Sequence, residues 1–131
     1  MRARAAPGVP LLLFVGALAA CHSIPNKAPR LERSSYGCMD AVVKQKLPPN
    51  LPDKQAHCQA SGLIARYCSP VEAYMAGVGK EFRDALGFGD PEWADWKADR
   101  VGVDCAYHSE SDEALAACCK VNEHGVSKPE R

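Results

Sequence analysis

A chain of 131 residues is long enough for one domain and no more, since domains usually run to roughly 100–150 residues. Its 16 Lys and Arg side chains balance 16 Asp and Glu, so there is no overall basic field to neutralise a phosphate backbone, and nucleic acid is not an expected partner. Seven cysteines in so short a chain point to a disulfide-bonded fold made in an oxidising compartment. No CxxC pair occurs, which argues against a zinc ribbon, and no metal site is expected.

The chain opens with the cationic stretch Met1-Arg2-Ala3-Arg4 and continues from Val9 to Ala20 as an apolar and small-residue run. This is the layout of a secretory signal peptide. The run falls short of the roughly twenty residues that a helix needs to cross a bilayer. It ends in Leu18-Ala19-Ala20-Cys21, which resembles the lipobox of bacterial lipoproteins: an aliphatic residue, two small residues and a cysteine. The resemblance implies removal of residues 1–20 and acylation of Cys21, palmitate included. The competing reading is an ordinary signal peptide cut at an Ala-x-Ala site, with Cys21 left over. Two or three acyl chains, each buried methylene contributing about 0.8 kcal/mol, would hold the protein at a membrane almost permanently. Position 22 is His22, where the lipoprotein pattern of enteric bacteria uses Asp for inner-membrane retention. That difference implies the outer membrane, with the protein facing the periplasm.

From Cys21 to about Ser35 the sequence is polar and broken by Pro25 and Pro29, so residues 21–35 are expected to be a lipidated tether, with the fold beginning near Tyr36. Residues 36–122 should form an all-α, disulfide-bonded bundle of four to five helices, followed by a flexible tail over 123–131. Met39, Val42, Val43 and Leu47 recur at helical spacing, and Pro48-Pro49 ends that helix. Asp53 is placed to cap a second helix running to about Tyr67, with Ala56, Ala60, Leu63 and Ile64 inward. Gly62 weakens that helix by up to about 1 kcal/mol unless close packing needs the missing side chain. Ser69-Pro70-Val71-Glu72 is a capping box with proline at the first helical position. The third helix should run through Tyr74, Val78, Phe82 and Ala85 and close at Gly87. Asp90-Pro91-Glu92 starts a fourth carrying Trp93, Trp96 and Val101, and Ser109 or Ser111 starts a fifth reaching Cys119. No stretch alternates with period two, so no sheet is expected.

With Cys21 assigned to lipid, six cysteines remain: Cys38, Cys58, Cys68, Cys105, Cys118 and Cys119. Cys58 and Cys68 lie ten residues apart on one predicted helix, about 15 Å, beyond the roughly 7 Å limit for bridged Cα atoms. They should not pair with each other. Cys118 and Cys119 point about 100° apart on a helix, so each should reach a different partner and staple the fifth helix to two segments. The remaining cysteines then share those bridges and a third. The alternative leaves one or two pairs reduced and buried.

Three groups of side chains are candidates for chemistry. His57 shares a helical stripe with Asp53 and Ser61, and a histidine oriented by an acid suits a general base; capping alone also explains Asp53. Lys80 and Asp84 have the spacing of an ordinary surface pair. Asp95 and Asp99 carry like charge one turn apart, so either Arg66, Arg83 or Arg100 neutralises them or they bind a cation; the arginines are favoured because no calcium loop is present. Trp93 and Trp96 are expected to anchor the core. No Gly-rich phosphate loop, GxSxG elbow or HExxH motif occurs.

Asp53-x3-His57-Cys58, Arg66, Lys80-Glu81-x2-Asp84 and Ala98-Asp99-x2-Gly102 in that order resemble a small helical domain of bacterial RHS-associated and polymorphic-toxin proteins. The resemblance spans Asp53 to Ala106 and implies a helical fold, without assigning an activity to any residue. The functional expectation is a lipid-anchored structural or protein-interaction module of the bacterial envelope, with no cofactor beyond the lipid on Cys21. The alternative is a small membrane-tethered hydrolase or metal-dependent enzyme that uses His57, Asp84 and Asp99.

Overall fold

The computed structural model describes residues 23–83, 87 and 92–122. The expected signal peptide, Cys21, Asp84 and the expected tail 123–131 lie outside these residues. Five helices follow in chain order: α1 (Ser35–Lys46), α2 (Asp53–Tyr67), α3 (Pro70–Arg83), α4 (Trp93–His108) and α5 (Asp112–Val121). The fold is all-α, with no strand among the described residues.

The helix boundaries follow local chemistry. Ser34 caps α1 by accepting from the Gly37 N–H at 3.1 Å, and Ser111 caps α5 by accepting from the Ala114 N–H at 3.1 Å. At α3 the capping box forms: Ser69 Oγ accepts from the Glu72 N–H at 3.2 Å and donates to Glu72 Oε2 at 2.7 Å. Two predicted caps differ. Pro52 occupies the N-cap of α2 and makes no side-chain cap, so Asp53 is the first helical residue. Glu92, next to α4, also makes no side-chain cap. Gly87 has φ +94°, the region where only glycine is unstrained.

Helix α2 is central and packs against all four others, which is why Cys58, Gln59 and every residue from Ser61 to Tyr67 are buried. Its closest neighbour is α4, and the approach depends on two glycines. A Cβ on Gly62 would fall 2.6 Å from Leu115 Cδ1 and 2.7 Å from the Gly102 carbonyl oxygen, and one on Gly102 would fall 2.0 Å from the Cys58 carbonyl oxygen. Gly62 therefore serves close packing, the one condition under which its helix cost is offset.

All six cysteines outside the signal region are bridged: Cys38–Cys68, Cys58–Cys119 and Cys105–Cys118. Cys58 and Cys68 take different partners, and the adjacent Cys118 and Cys119 staple α5 to α4 and α2 respectively. The third bridge ties α1 to the end of α2. No pair is left reduced.

Several expectations about facing are corrected. Trp93 is 69 % exposed and Trp96 is only half-buried, its ring 6.2 Å from that of Tyr74. The inward face of α4 is Asp95, Ala98, Asp99, Gly102, Val103, Cys105 and Ala106, with nothing larger than valine or aspartate because the interhelical distance leaves no room for indoles. On α3, for which the sequence set no facing, Tyr74 and Val78 face solvent while Glu72, Ala73 and Gly77 are buried.

The segment before α1 is packed. Ile24 is buried in the core, with Ala28 and Leu31 packed partly against it. Arg30 forms a forked pair with Glu72, Nη1 to Oε2 at 2.9 Å and Nη2 to Oε1 at 2.6 Å. Among the described residues the fold therefore begins at Ile24 and not near Tyr36. No helix in this set is long and apolar enough to cross a membrane.

Candidate functional site

The N-terminal half of α2 and the first half of α4 meet in a cluster of charges. His57 Nδ1 lies 3.1 Å from Asp99 Oδ1, Nε2 lies 3.3 Å from Asp95 Oδ2, and Asp53 stands 3.9 Å from Nε2. Lys54 reaches Asp53, Glu92 and Asp95, and Lys80 from α3 donates to Asp95 Oδ2 at 2.6 Å. Among the described side chains Asp95 and Asp99 are thus neutralised by Lys54, Lys80 and His57, in place of the predicted Arg66 and Arg100, while the side chain of Arg83 lies outside the described residues. Arg66 points the other way, bonding Asp112 at 3.0 Å and the Ser109 carbonyl at 2.8 Å; Arg100 is exposed.

These contacts set the charge states. The hydrogen bond to Asp99 holds His57 above its ordinary pKa; burial opposes this, while the field of Asp95 adds to it. Burial pushes Asp95 toward the neutral form, but hydrogen bonds from Lys54 and Lys80 prevail and hold its pKa low. Burial likewise opposes the charge on Lys54, and its bonds to Asp53, Asp95 and Glu92 outweigh it, raising that pKa.

The arrangement defines what His57 can do. A general base needs one ring nitrogen facing its substrate, and both nitrogens of His57 face carboxylates. A ring so placed is stabilised as an imidazolium cross-link between α2 and α4. Ligand atoms of Asp53, His57 and Asp95 lie within 4.8 Å of one another, a spacing a cation could use. Lys54 and Lys80 already occupy Asp95, and a cation would have to displace both ammonium groups. The other close ligand group, Cys58, Cys105 and Cys119, is committed to disulfides.

Beside the cluster lies a groove of about 650 Å³ between α1, α2 and α3. Most of its wall is apolar, with Met39 and Val43 from α1, Ile64 from α2, and Met75 and Ala76 from α3; Asp40, His57, Ser61, Lys80 and Asp99 supply its polar lining. Ser61 Oγ and Asp99 Oδ2 are buried there without a hydrogen-bond partner. The structure thus joins His57, Ser61 and Asp99. Sequence reasoning missed Lys54 as the partner of Asp95, because the pair spans 41 residues.

No protein-family model, curated protein or solved structure matches the chain. Functional argument rests on the chain's own residues.

Proposed function

We propose that this chain is a lipid-anchored protein of the bacterial envelope, facing the periplasm, that acts by binding a partner protein. The observation that carries the binding reading is the outer face of α3. Val71 is 67 %, Met75 57 % and Val78 54 % exposed, at positions four and three apart, and Tyr74 lies beside them. Single exposed apolar residues are common, but a contiguous stripe of them is a feature of interaction surfaces. A rigid helix face with apolar anchors at i, i+4 and i+7 suits docking against a groove or a second helix. The three bridges fit residence in an oxidising compartment, and Leu18-Ala19-Ala20-Cys21 supports the anchor, with the outer membrane favoured by His22.

The test is site-specific photo-crosslinking in cells from position 78, with position 97 on exposed Lys97 as the comparison, alongside mass spectrometry of the mature N-terminus. Discrete adducts from position 78 that disappear with Met75→Asp, on a protein carrying acylated Cys21, are the expected result. A diffuse pattern equal to that from position 97 would remove the binding reading, and an unmodified Cys21 would remove the anchor.

One observation favours a second reading, a membrane-tethered hydrolase: the 3.1 Å contact between His57 Nδ1 and Asp99, the orientation a base requires. Under that reading Asp95→Asn, which frees Nε2 of its ionic partner, raises turnover of a model ester and His57→Gln abolishes it.

A further inference from the structure

Buried polar groups are almost always hydrogen-bonded, and an unpaired one costs about 1–3 kcal/mol. Two such atoms, Ser61 Oγ and Asp99 Oδ2, belong to residues that line the same groove; those residues are 3 % and 5 % exposed. Ser61 stands one turn after His57 on α2, and Asp99 reaches in from α4 with its other oxygen on His57. Around them the groove is lined by Met39, Val43, Ile64, Met75 and Ala76. At about 650 Å³ it falls within the roughly 300–1,000 Å³ range of small-molecule sites, which combine apolar walls with a few fixed polar groups.

We propose that this groove binds a small amphiphile, an aliphatic body carrying a hydroxyl or amine head that donates to Asp99 Oδ2 and bonds Ser61 Oγ. The apolar walls select the body. The head follows from the unpaired atoms: an ionised carboxylate only accepts, so its partner must donate, while a serine hydroxyl completes either a donor or an acceptor. A carboxylate or phosphate head would place a second anion against the Asp99 carboxylate, and like charges set together repel. The glycines of α3 fit the same purpose. A Cβ on Gly77 would sit 2.6 Å from Asp99 Oδ2, so only glycine leaves room beside that oxygen, and Gly79 adds no side chain to the groove it lines. This site is concave and carries polar groups that the outer stripe of α3 lacks; the two share Met75 alone of the stripe's three anchors, and the site does not depend on lipidation or on the protein-binding reading.

The chain contains three methionines, Met1, Met39 and Met75, and the two outside the signal region both line the groove, so their methyl resonances report on it. The full chain with Cys21→Ser, exported and oxidised so that neither lipid nor detergent competes, is titrated with 1-octanol, octylamine and octanoate below their micellar concentrations. Octanol and octylamine should shift the Met39 and Met75 signals saturably, with octanoate about tenfold weaker because its anionic head is set against the Asp99 carboxylate. Ser61→Ala should weaken the first two at least fivefold toward octanoate. Ala76→Phe should abolish all shifts, and Val43→Trp at the exposed rim blocks the same space should the former not fold. Absence of a saturable shift at Met39, equal affinity for the three amphiphiles, or binding that survives both blocking variants would each overturn the proposal.

Discussion

Asp99 of α4 bonds Nδ1 of His57 on α2 at 3.1 Å with one carboxylate oxygen and lies beneath Gly77 of α3 with the other, so a single carboxylate fixes the meeting of three helices. Because an ionised carboxylate only accepts, Nδ1 carries the proton, and the bond is charge-assisted. Gly77 is the narrow point: a methyl group there would stand 2.6 Å from Asp99 Oδ2, closer than contact allows. Gly77→Ala is expected to cost about 1–3 kcal/mol through overpacking and to lower the pKa of His57 toward its ordinary value, since the Asp99 bond is the main cause of its elevation. Gly79→Ala, where an added Cβ meets nothing within 4 Å, should instead stabilise by up to about 1 kcal/mol. Thermal melts with an NMR titration of the His57 ring compare the two; equal effects on stability would remove the packing argument.

His57 makes a pH signature. Its folded-state pKa is raised, so its stabilising contribution is fully present below the unfolded value of about 6.5 and is lost as pH rises through the raised folded value. Hydrogen bonds to charged groups contribute about 1.5–3 kcal/mol. Urea unfolding should therefore show wild type exceeding His57→Gln by about that much at pH 5.5, with the gap narrowing at pH 8.5. A gap that widens with pH would mean that the neutral ring is the stabilised form and would reopen the base role.

The helices were legible because their signals are local. Ser69 with Glu72, Pro48-Pro49, Ser111 and Gly87 each act within a few residues, and the bridges obeyed constraints readable from helix geometry alone. The charge cluster was half legible: His57, Asp95 and Asp99 stood out, but the partners that decide the state of Asp95, Lys54 of α2 and Lys80 of α3, come from helices other than its own. The facing of α4 was misjudged by weighting its tryptophans. Ala98, Gly102 and Ala106 recur every four residues beside Asp95 and Asp99, and that stripe of small residues was the available sign of close helix packing. The seat of Ile24 carried no local signal at all, since one isoleucine among prolines and polar residues has no period.

Arg30 and Glu72 hold the segment before α1 onto the domain. The hydrogen bond from Arg30 holds the Glu72 carboxyl down at about 2; burial opposes it and the Ser69 hydroxyl assists. With the folded pKa depressed, this contribution is present above the ordinary value of 4.5 and disappears as pH falls toward about 2. Glu72→Gln is expected to release residues 24–34, seen as faster tryptic cleavage after Lys27 and Arg30 at pH 7 under native conditions. Ile24→Ala should act alike and cost about 2–4 kcal/mol. Unchanged cleavage in both variants would show that the segment is held by something other than these two contacts.

The bridges should differ in worth with the loop each closes. Cys58–Cys119 spans 61 residues, Cys38–Cys68 spans 30 and Cys105–Cys118 spans 13. In the chain-entropy account these correspond to about 4, 3.5 and 3 kcal/mol. Packing widens the gap: Cys58 and Cys119 are both buried, whereas Cys118 is only partly so, and Cys58 lies where Gly102 brings α4 against α2. Replacing Cys58 and Cys119 together by alanine should therefore lower the urea midpoint most, and the Cys105 and Cys118 pair least, with the other two bridges kept oxidised. If the Cys105 and Cys118 replacement proved the most damaging, the anchoring of α5 to α4 would outweigh loop entropy, and the link between α5 and the central helix would be secondary to it.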